Sequence, residues 1–270
     1  MTSNQSILEL NDDCLIAIFN FLSIYELIEA ESVCEAFKVI CENIYGSKRF
    51  HKMRIELRYL RPEHFDNIIK RVGKTWRNFE FSGGYIMDEK LKNLLIEGVS
   101  KSCPKMTSLT INYVQFCQES LTRVSECFIN LTYLDLSRCN INESTLGFTL
   151  KDEQCKNIKT LKLAGNSCMT GKFFKSLKHV EVLDVSHCFI LSYFEFVSFL
   201  KNCLKLTSLD LTGTSQLIPE DENFLDLIYS HQPHIEQLTM DNTGLDEDKE
   251  VLRKFKNLKH SSFLGRKFGL

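Results

Sequence analysis

The stretch LTYLDLSRC, at residues 131–139, contains a pattern that repeats through most of the chain. Its apolar residues Leu131, Leu134 and Leu136 are separated first by two residues and then by one. Eight further copies keep this spacing: Phe50, Met53, Ile55; Trp76, Phe79, Phe81; Met106, Leu109, Ile111; Ile158, Leu161, Leu163; Val180, Leu183, Val185; Leu206, Leu209, Leu211; Ile235, Leu238, Met240; and a degenerate Leu258, Ser261, Phe263. The middle position advances in eight steps over 208 residues, so the mean period is 26 residues.

A period of this length with an apolar-x-x-apolar-x-apolar core is typical of a leucine-rich repeat. Each unit then adds one strand to a parallel sheet inside a curved solenoid and a helix or turn outside it. The sequence predicts an α/β fold with about eight to nine such units over residues 47–265 and a short, loosely held tail at 266–270. Outer helices are predicted at His64–Val72, Asp88–Ser102, Gln118–Cys127, Glu143–Cys155, Ser192–Asn202 and Asp221–Ser230, with a single turn at Lys172–Leu177.

The composition fits a large core and gives no general affinity for polyanions. The chain has 270 residues, of which 43% are hydrophobic, so it can bury an extensive interior. Its formal net charge of −2 provides no attraction to nucleic acid or acidic membranes, and we expect neither as a partner. The charge is uneven, because residues 1–46 hold eight acidic side chains and one lysine.

The eleven cysteines follow the repeat. Cys103, Cys155 and Cys203 each lie six residues before the middle apolar position of a unit, and Cys139 and Cys188 each lie five residues after it. Cysteine at a fixed repeat position behaves as a small buried hydrophobe. We expect free thiols in the core, with disulfides or metal binding as the alternatives, because the count is odd and no CxxC pair occurs.

The sequence also bears on the compartment. The N-terminal residues contain no basic segment followed by an apolar run, and no stretch of about 20 apolar residues occurs in the chain. Together with free thiols, this predicts a cytoplasmic and/or nuclear protein.

Residues 1–46 belong to no repeat and predict three short helices. Asn11 or Asp12 can cap the first helix, whose apolar residues have the spacing of one helical face. Ser23 with Glu26 forms a capping box that begins the second helix, and Ser32 with Glu35 is predicted to begin the third in the same way. A module of this size must pack on the solenoid, on a partner or on both.

Within this module, LELNDDCLIAIFNFLSIYELIEAESVCEAFKVIC at residues 8–41 resembles an F-box. It departs from the family pattern at Asn11, where the family prefers Pro, and at Phe37, where it prefers Trp. With the repeats that follow, the chain resembles the F-box/leucine-rich-repeat proteins. The resemblance implies a substrate-recognition subunit of an SCF-type (cullin-RING) E3 ubiquitin ligase that carries out no catalysis itself. The residues that the resemblance assigns to docking on a Skp-family adaptor are Leu10, Asn11, Leu15, Ile18, Phe19, Leu22, Leu27, Val33 and Cys34.

Two other functions remain open at the level of sequence. In the first, the chain is an interaction scaffold and the N-terminal helices only cap the solenoid. In the second, it is an enzyme whose site the repeats conceal. Two segments invite that view, and each has another explanation. Gly165–Phe173 resembles a phosphate-binding loop but has the wrong spacing. Asp184, Ser186 and His187 lie close together like a catalytic triad, but Asp184 and Ser186 alternate with apolar residues as a sheet with one solvent face requires. We predict no active site, no metal site and no cofactor.

The residues between the apolar positions of each unit should face the concave side of the sheet. They form ladders rich in carboxylates and hydroxyls. Either they solvate an exposed sheet or they bind an unknown protein substrate. The predicted substrate-binding residues are Tyr133, Asp135, Arg138, Lys162, Asp184, His187, Asp210 and Asp241.

Overall fold

The computed structural model describes residues 6–56, 61–84, 87–146, 150–217, 223–241, 249–263 and 266–269. Within these residues, three N-terminal helices precede one sheet of ten strands, in which every strand lies beside its neighbour in sequence. The first nine strands pair in parallel and the tenth pairs antiparallel to the ninth. Helices and 3₁₀ turns connect the strands on the outside, so the chain is an α/β solenoid preceded by a helical module.

The strands are β1 Lys52–Glu56, β2 Asn78–Ser82, β3 Ser108–Asn112, β4 Tyr133–Asp135, β5 Thr160–Lys162, β6 Val182–Asp184, β7 Ser208–Asp210, β8 Gln237–Thr239, β9 His260–Phe263 and β10 Arg266–Gly269. The helices are α1 Asp12–Phe19, α2 Ile24–Glu31, α3 Glu35–Tyr45, α4 Pro62–Val72, α5 Glu89–Ser102, α6 Gln118–Ser125, α7 Glu143–Leu146, α8 Asp152–Cys155, α9 Tyr193–Asn202, α10 Phe224–His231 and α11 Lys249–Leu252.

The register of the sheet follows the repeat. The middle apolar residue of each unit pairs with that of the next, from Met53 beside Phe79 to Leu238 beside Ser261. Leu134, Leu161 and Leu183, at the centre of this series, have no exposed surface. Side chains alternate across a strand, so a constant register places every apolar ladder on the side of the sheet that faces the core and the outer helices. The predicted phase of the nine units is confirmed.

The repeat cysteines lie in this core. Cys103, Cys139, Cys155, Cys188 and Cys203 are each at most 4% exposed, and all eleven cysteines of the chain are free thiols. Burial raises the pKa of the Cys139 and Cys188 thiols to about 12. These thiols are therefore packing groups that stay protonated near neutral pH.

Three predictions of local structure are wrong. Ser32 does not begin α3: its hydroxyl donates to the Glu29 carbonyl at 2.6 Å and closes the end of α2, while Cys34 precedes α3 without a side-chain cap. The helix predicted at Glu143–Cys155 is interrupted at Lys151, which is extended, so that short helices occupy Glu143–Leu146 and Asp152–Cys155; residues 147–149 lie outside the described residues. The helix predicted from Asp221 begins at Phe224, and residues 221 and 222 lie outside the described residues.

The predicted loose tail is also a strand. Arg266–Gly269 pairs antiparallel with β9, in the register Arg266 beside Phe263 and Gly269 beside His260. Without it, β9 would present a row of unpaired backbone donors and acceptors at the end of the sheet. The C-terminal segment therefore covers that edge.

Candidate functional site

The first candidate surface lies on the helical module. In α1, Leu15 and Phe19 are one turn apart and buried, and the Phe19 ring contacts Phe37 edge-on at 4.9 Å between centroids. Ile18 lies at the edge of this buried face and is 42% exposed. The helical repeat of 3.6 residues therefore divides α1 into a face for the module's own core and a face for solvent or a partner.

This division separates the predicted adaptor residues into two groups. Leu15, Phe19 and Leu27 are at most 3% exposed, so they form the interior of the module. Leu22 and Cys34 are partly buried against the same core. The residues that face solvent are Leu10, Asn11, Ile18 and Val33. Of these, Asn11 already caps α1, since its Oδ1 accepts a hydrogen bond from the Cys14 amide at 2.9 Å.

Several exposed apolar residues of the module were missed. Phe21 is 90% exposed, and Ile7, Leu8 and Val39 are each close to half exposed. Phe21 follows Ile18 by three residues and lies in the turn after α1, where its amide donates to the Ile18 carbonyl at 3.1 Å. That spacing was the available signal in the sequence. We call the exposed aliphatic and phenylalanine residues of the module the apolar set: Ile7, Leu8, Leu10, Ile18, Phe21, Val33 and Val39.

The module is fixed to the first repeat by a polar junction. Arg71 of α4 forms two hydrogen bonds to the Glu31 carboxylate of α2, at 2.6 and 3.0 Å, and the Tyr45 hydroxyl donates to the same carboxylate at 2.9 Å. The Arg71 guanidinium holds the pKa of Glu31 below its usual value. Arg49 donates to backbone carbonyls at the end of α1, including that of Asn20 at 2.8 Å. The module therefore has a defined orientation on the solenoid.

The second candidate surface is the concave side of the sheet. Asp135, Lys162, Asp184 and Asp210 lie side by side on consecutive strands, as predicted. Three of these are carboxylates that accept hydrogen bonds from the residue two positions later: Asp135 from Ser137, Asp184 from Ser186 and Asp210 from Thr212.

These contacts give the carboxylates a structural role. The Ser137 and Ser186 hydroxyls donate to Asp135 and Asp184 at 2.6 and 2.7 Å, in addition to the backbone contacts. Asp135 is only 8% exposed, and burial raises the pKa of Asp210. Each carboxylate thus satisfies the backbone where its strand ends. Asp241 accepts from the Ser262 hydroxyl at 2.7 Å.

The other predicted substrate residues differ in exposure. Tyr133 and Lys162 are half-buried on the sheet, whereas Arg138 and His187 lie just beyond the strands and are exposed. Arg138 and His187 both have a left-handed backbone conformation, with φ of 58° and 55°. They line one groove together, whose remaining lining residues are Tyr113, Gln115, Asn140 and Gly165.

The two segments that resembled catalytic motifs have other roles. In the loop at Gly165–Phe173, the backbone amides of Thr170, Gly171 and Phe173 donate to the Glu143 carboxylate at 2.8 to 3.1 Å. An internal carboxylate therefore occupies the amides that a phosphate-binding loop would offer to its ligand. At the other segment, the Ser186 hydroxyl donates to Asp184.

Among the described residues, no group of three or more histidine, cysteine or acidic side chains is arranged to hold a metal ion. In the same part of the chain, no helix has both the length and the hydropathy needed to cross a membrane.

Family models match two parts of the chain. The F-box domain model matches residues 7–46, and the Leucine Rich Repeat model matches residues 130–150. The chain thus combines an F-box domain with a leucine-rich repeat, as an F-box/leucine-rich-repeat protein does, and this architecture is typical of non-catalytic adaptor proteins. A comparison with curated proteins finds no match.

Two solved structures are similar to this chain at low sequence identity. The leucine-rich-repeat-containing protein LegL7 from Legionella pneumophila superposes with a TM-score of 0.50 and 15% identity, over 76% of this chain and 70% of that one. The Rad7 and Elc1 complex in yeast gives a TM-score of 0.42 at 15% identity, over 97% of this chain and 75% of that one. At this identity, the likeness to LegL7 establishes the solenoid fold alone.

Proposed function

We propose that the chain is the substrate-recognition subunit of an SCF-type (cullin-RING) E3 ubiquitin ligase. In this proposal the helical module, residues 1–46, docks on a Skp-family adaptor, and the solenoid from residue 47 to 265 binds a protein substrate in the cytoplasm or nucleus. The chain contributes no reacting group: it raises the rate of transfer by holding the substrate near the ubiquitin-charged enzyme. The observation that carries the proposal is the apolar set on the F-box domain.

The apolar set is unusual for so small a module. Seven large aliphatic or phenylalanine side chains are at least 40% exposed within residues 7–39, and Phe21 is 90% exposed. Single exposed apolar residues are common, but a concentration of them marks an interaction site. Since Leu15, Phe19 and Leu27 already fill the core, the exposed residues are not needed for folding.

The junction at Glu31 and Arg71 supports the geometric part of the proposal. A substrate receptor must hold its substrate in a defined direction from the adaptor, because proximity accelerates transfer only when the reacting groups are correctly oriented. The same junction would serve a plain scaffold whose helices cap the first repeat. The apolar set distinguishes the two functions, since an end cap needs contacts to the solenoid and no exposed apolar face.

The test is binding of the full chain to a purified Skp-family adaptor. We expect Ile18→Asp with Phe21→Asp to weaken binding by about 100-fold, because charges replace two exposed anchors at the interface. Both residues face solvent, so the variant should fold normally. Leu204→Asp is the matched control, since Leu204 is 72% exposed on the solenoid, and it should bind as the wild type does. If the folded wild-type chain did not bind the adaptor, the ligase function would be contradicted and the scaffold function would take its place.

A further inference from the structure

One position of the repeat carries backbone strain in some units and glycine in others. The fourth residue after the middle apolar position is Tyr113, Arg138, Gly165, His187 and Gly213 in five consecutive units, with φ of 58°, 58°, 70°, 55° and 69°. Glycine adopts this left-handed conformation freely, whereas a residue with a Cβ adopts it at a cost. Two units use glycine here and three use large side chains. Strained residues of this kind concentrate at functional sites.

The glycines make room for their neighbours. A Cβ at Gly165 would lie 2.9 Å from Cγ of Arg138, and a Cβ at Gly213 would lie 2.6 Å from Nδ1 of His187. Arg138 donates a hydrogen bond from Nη1 to the Tyr113 hydroxyl at 2.7 Å, and its guanidinium lies 5.3 Å from the Tyr113 ring centroid. Arg138 and His187 thus rest over the glycine of the next unit, and Arg138 is also bonded to Tyr113.

The groove that these residues line has a volume of about 400 Å³ and is rich in hydrogen-bond donors. Its lining includes the guanidinium of Arg138, the imidazole of His187 and the amides of Gln115 and Asn140. Within the described part of the chain, Arg138 has no carboxylate within ion-pair distance, and no acceptor is bonded to its Nε or Nη2. A guanidinium with an open edge of this kind fits a carboxylate through two parallel hydrogen bonds.

An apolar surface continues from the groove. The Phe189 ring lies 6.1 Å from the His187 ring in an edge-to-face arrangement, and Phe189 is 53% exposed. Ile190, the next residue, is 52% exposed. The surface therefore presents a cation and donors at Arg138 and His187 beside an apolar contact at Phe189.

We propose that this groove is the substrate-recognition site and that it binds a segment of the substrate protein with an acidic side chain followed by an apolar one. The proposal rests on the proposed function as a substrate receptor. The substrate carboxylate pairs with Nε and Nη2 of Arg138, and the apolar side chain packs on Phe189. A carboxylate fits better than a phosphate, because the groove has one permanent cation and the carboxylates of Asp135 and Asp184 lie in the adjacent row. A phosphate dianion would be repelled more strongly by that row.

The test uses the isotope-labelled full chain and three synthetic peptides in an NMR titration that follows the Nε–H signal of Arg138. The probes are the acetylated, amidated peptide Gly-Ser-Gly-Glu-Leu-Gly-Ser, the same peptide with Gln for Glu, and the same peptide with phosphoserine for Glu. We expect a saturable shift with the Glu peptide, about 10-fold weaker binding of the Gln peptide through loss of a charged hydrogen-bonded pair, and no tighter binding of the phosphoserine peptide. Absence of a saturable shift up to about 10 mM would overturn the proposal.

The variant Arg138→Gly tests the role of the side chain without damaging the fold. Glycine is the residue of the neighbouring unit and relieves the left-handed strain, so the melting temperature should be no lower than that of the wild type. Followed through the backbone amide of His187, Arg138→Gly should bind the Glu and Gln peptides equally. Lys175→Ala, which removes an exposed cation elsewhere, should keep the wild-type preference.

Three further results would contradict the proposal: equal binding of the Glu and Gln peptides by the wild type, about 10-fold tighter binding of the phosphoserine peptide, or an unchanged preference in Arg138→Gly. No adaptor is present in this assay. A chain that binds the Glu peptide but not the adaptor would support the peptide site and contradict the ligase function. A chain that binds the adaptor but not the Glu peptide would support the ligase function and contradict the peptide site.

Discussion

Single buried polar residues hold the turns of the solenoid in place. Asn166 has no exposed surface, and its Oδ1 accepts hydrogen bonds from the backbone amides of Cys139 and Ile141, both at 3.0 Å. Its Nδ2 donates to the carbonyls of Leu136 and Leu163 at 2.9 and 2.8 Å. One side chain therefore satisfies two donors and two acceptors that the strands leave unpaired.

We predict that Asn166→Ala lowers the free energy of unfolding by about 3–5 kcal/mol, because buried backbone groups lose hydrogen-bond partners. Urea denaturation of the two proteins measures the difference. Asn157→Ala is the control, since the exposed Asn157 makes a single bond to the Ile129 carbonyl at 2.7 Å, and it should cost about 1 kcal/mol or less. Equal losses in the two variants would show that the Asn166 network contributes little.

For single residues, the sequence predicts burial well and backbone conformation poorly. The positions of Cys139 and Cys188 in the repeat were sufficient to predict their burial, because phase alone determines which side chains face the core. The left-handed backbone of Arg138 and His187 follows from the shape of the turn. Only the glycines at the equivalent positions, Gly165 and Gly213, could have indicated it. The hydrogen bonds of Asp135 and Asp184 were missed, because they depend on where each strand ends.

The helices of the module illustrate what determines an element's ends. The Ser23 and Glu26 capping box is present as predicted: Glu26 accepts from the Ser23 amide at 2.6 Å, and Ser23 accepts from the Glu26 amide at 3.3 Å. The same pattern at Ser32 and Glu35 has no such role, because Ser32 bonds back to the Glu29 carbonyl. A serine three residues before a glutamate fits either a helix start or a helix end, and the packing of α2 on α3 selects between them.

The contact between α2 and α4 predicts a dependence of stability on pH. Arg71, and to a smaller extent Tyr45, lowers the pKa of Glu31 in the folded chain from its ordinary value of 4.5. A carboxylate whose pKa is lowered by folding stabilises the folded state above its unfolded pKa, and this contribution is lost as the pH falls through the folded pKa. We expect Glu31→Gln to have a lower melting temperature than the wild type at pH 7, and the difference to shrink as the pH falls below 4.5.

The control for this comparison is Glu97→Gln. Glu97 forms an exposed pair with Lys101 at 3.5 Å, which contributes little to stability, so the difference from the wild type should be small at every pH. Melting curves from pH 7 to about pH 3 measure both variants. A constant difference between Glu31→Gln and the wild type over that range would show that the charge of Glu31 does not hold the module to the solenoid.

Over the whole molecule, the repeat period alone predicted the order, direction and register of nine strands. This succeeded because each unit contacts only its neighbours, so that one local pattern determines the global arrangement. The ends of the array have no such pattern. The segment at Arg266–Gly269 has no repeat spacing, and its pairing with β9 depends on an open edge that only the assembled sheet provides. The apolar set was predicted only in part for a related reason. Which apolar residues of the module are exposed depends on which of them pack in its core, and only the folded module determines that.

The two ends of the solenoid are closed by different devices, and the C-terminal one can be removed without touching the F-box domain or the groove at Arg138. Truncation after Phe263 would remove β10 and expose the backbone of β9, whose unpaired groups can pair with another chain. We expect the truncated chain to unfold at a lower temperature and to self-associate as its concentration rises, measured by melting curves and by light scattering. Lys267→Ala, which keeps the strand, should behave as the wild type. If the truncated chain remained monomeric with an unchanged melting temperature, β10 would not protect the sheet, and the last repeat would have to be stable on its own.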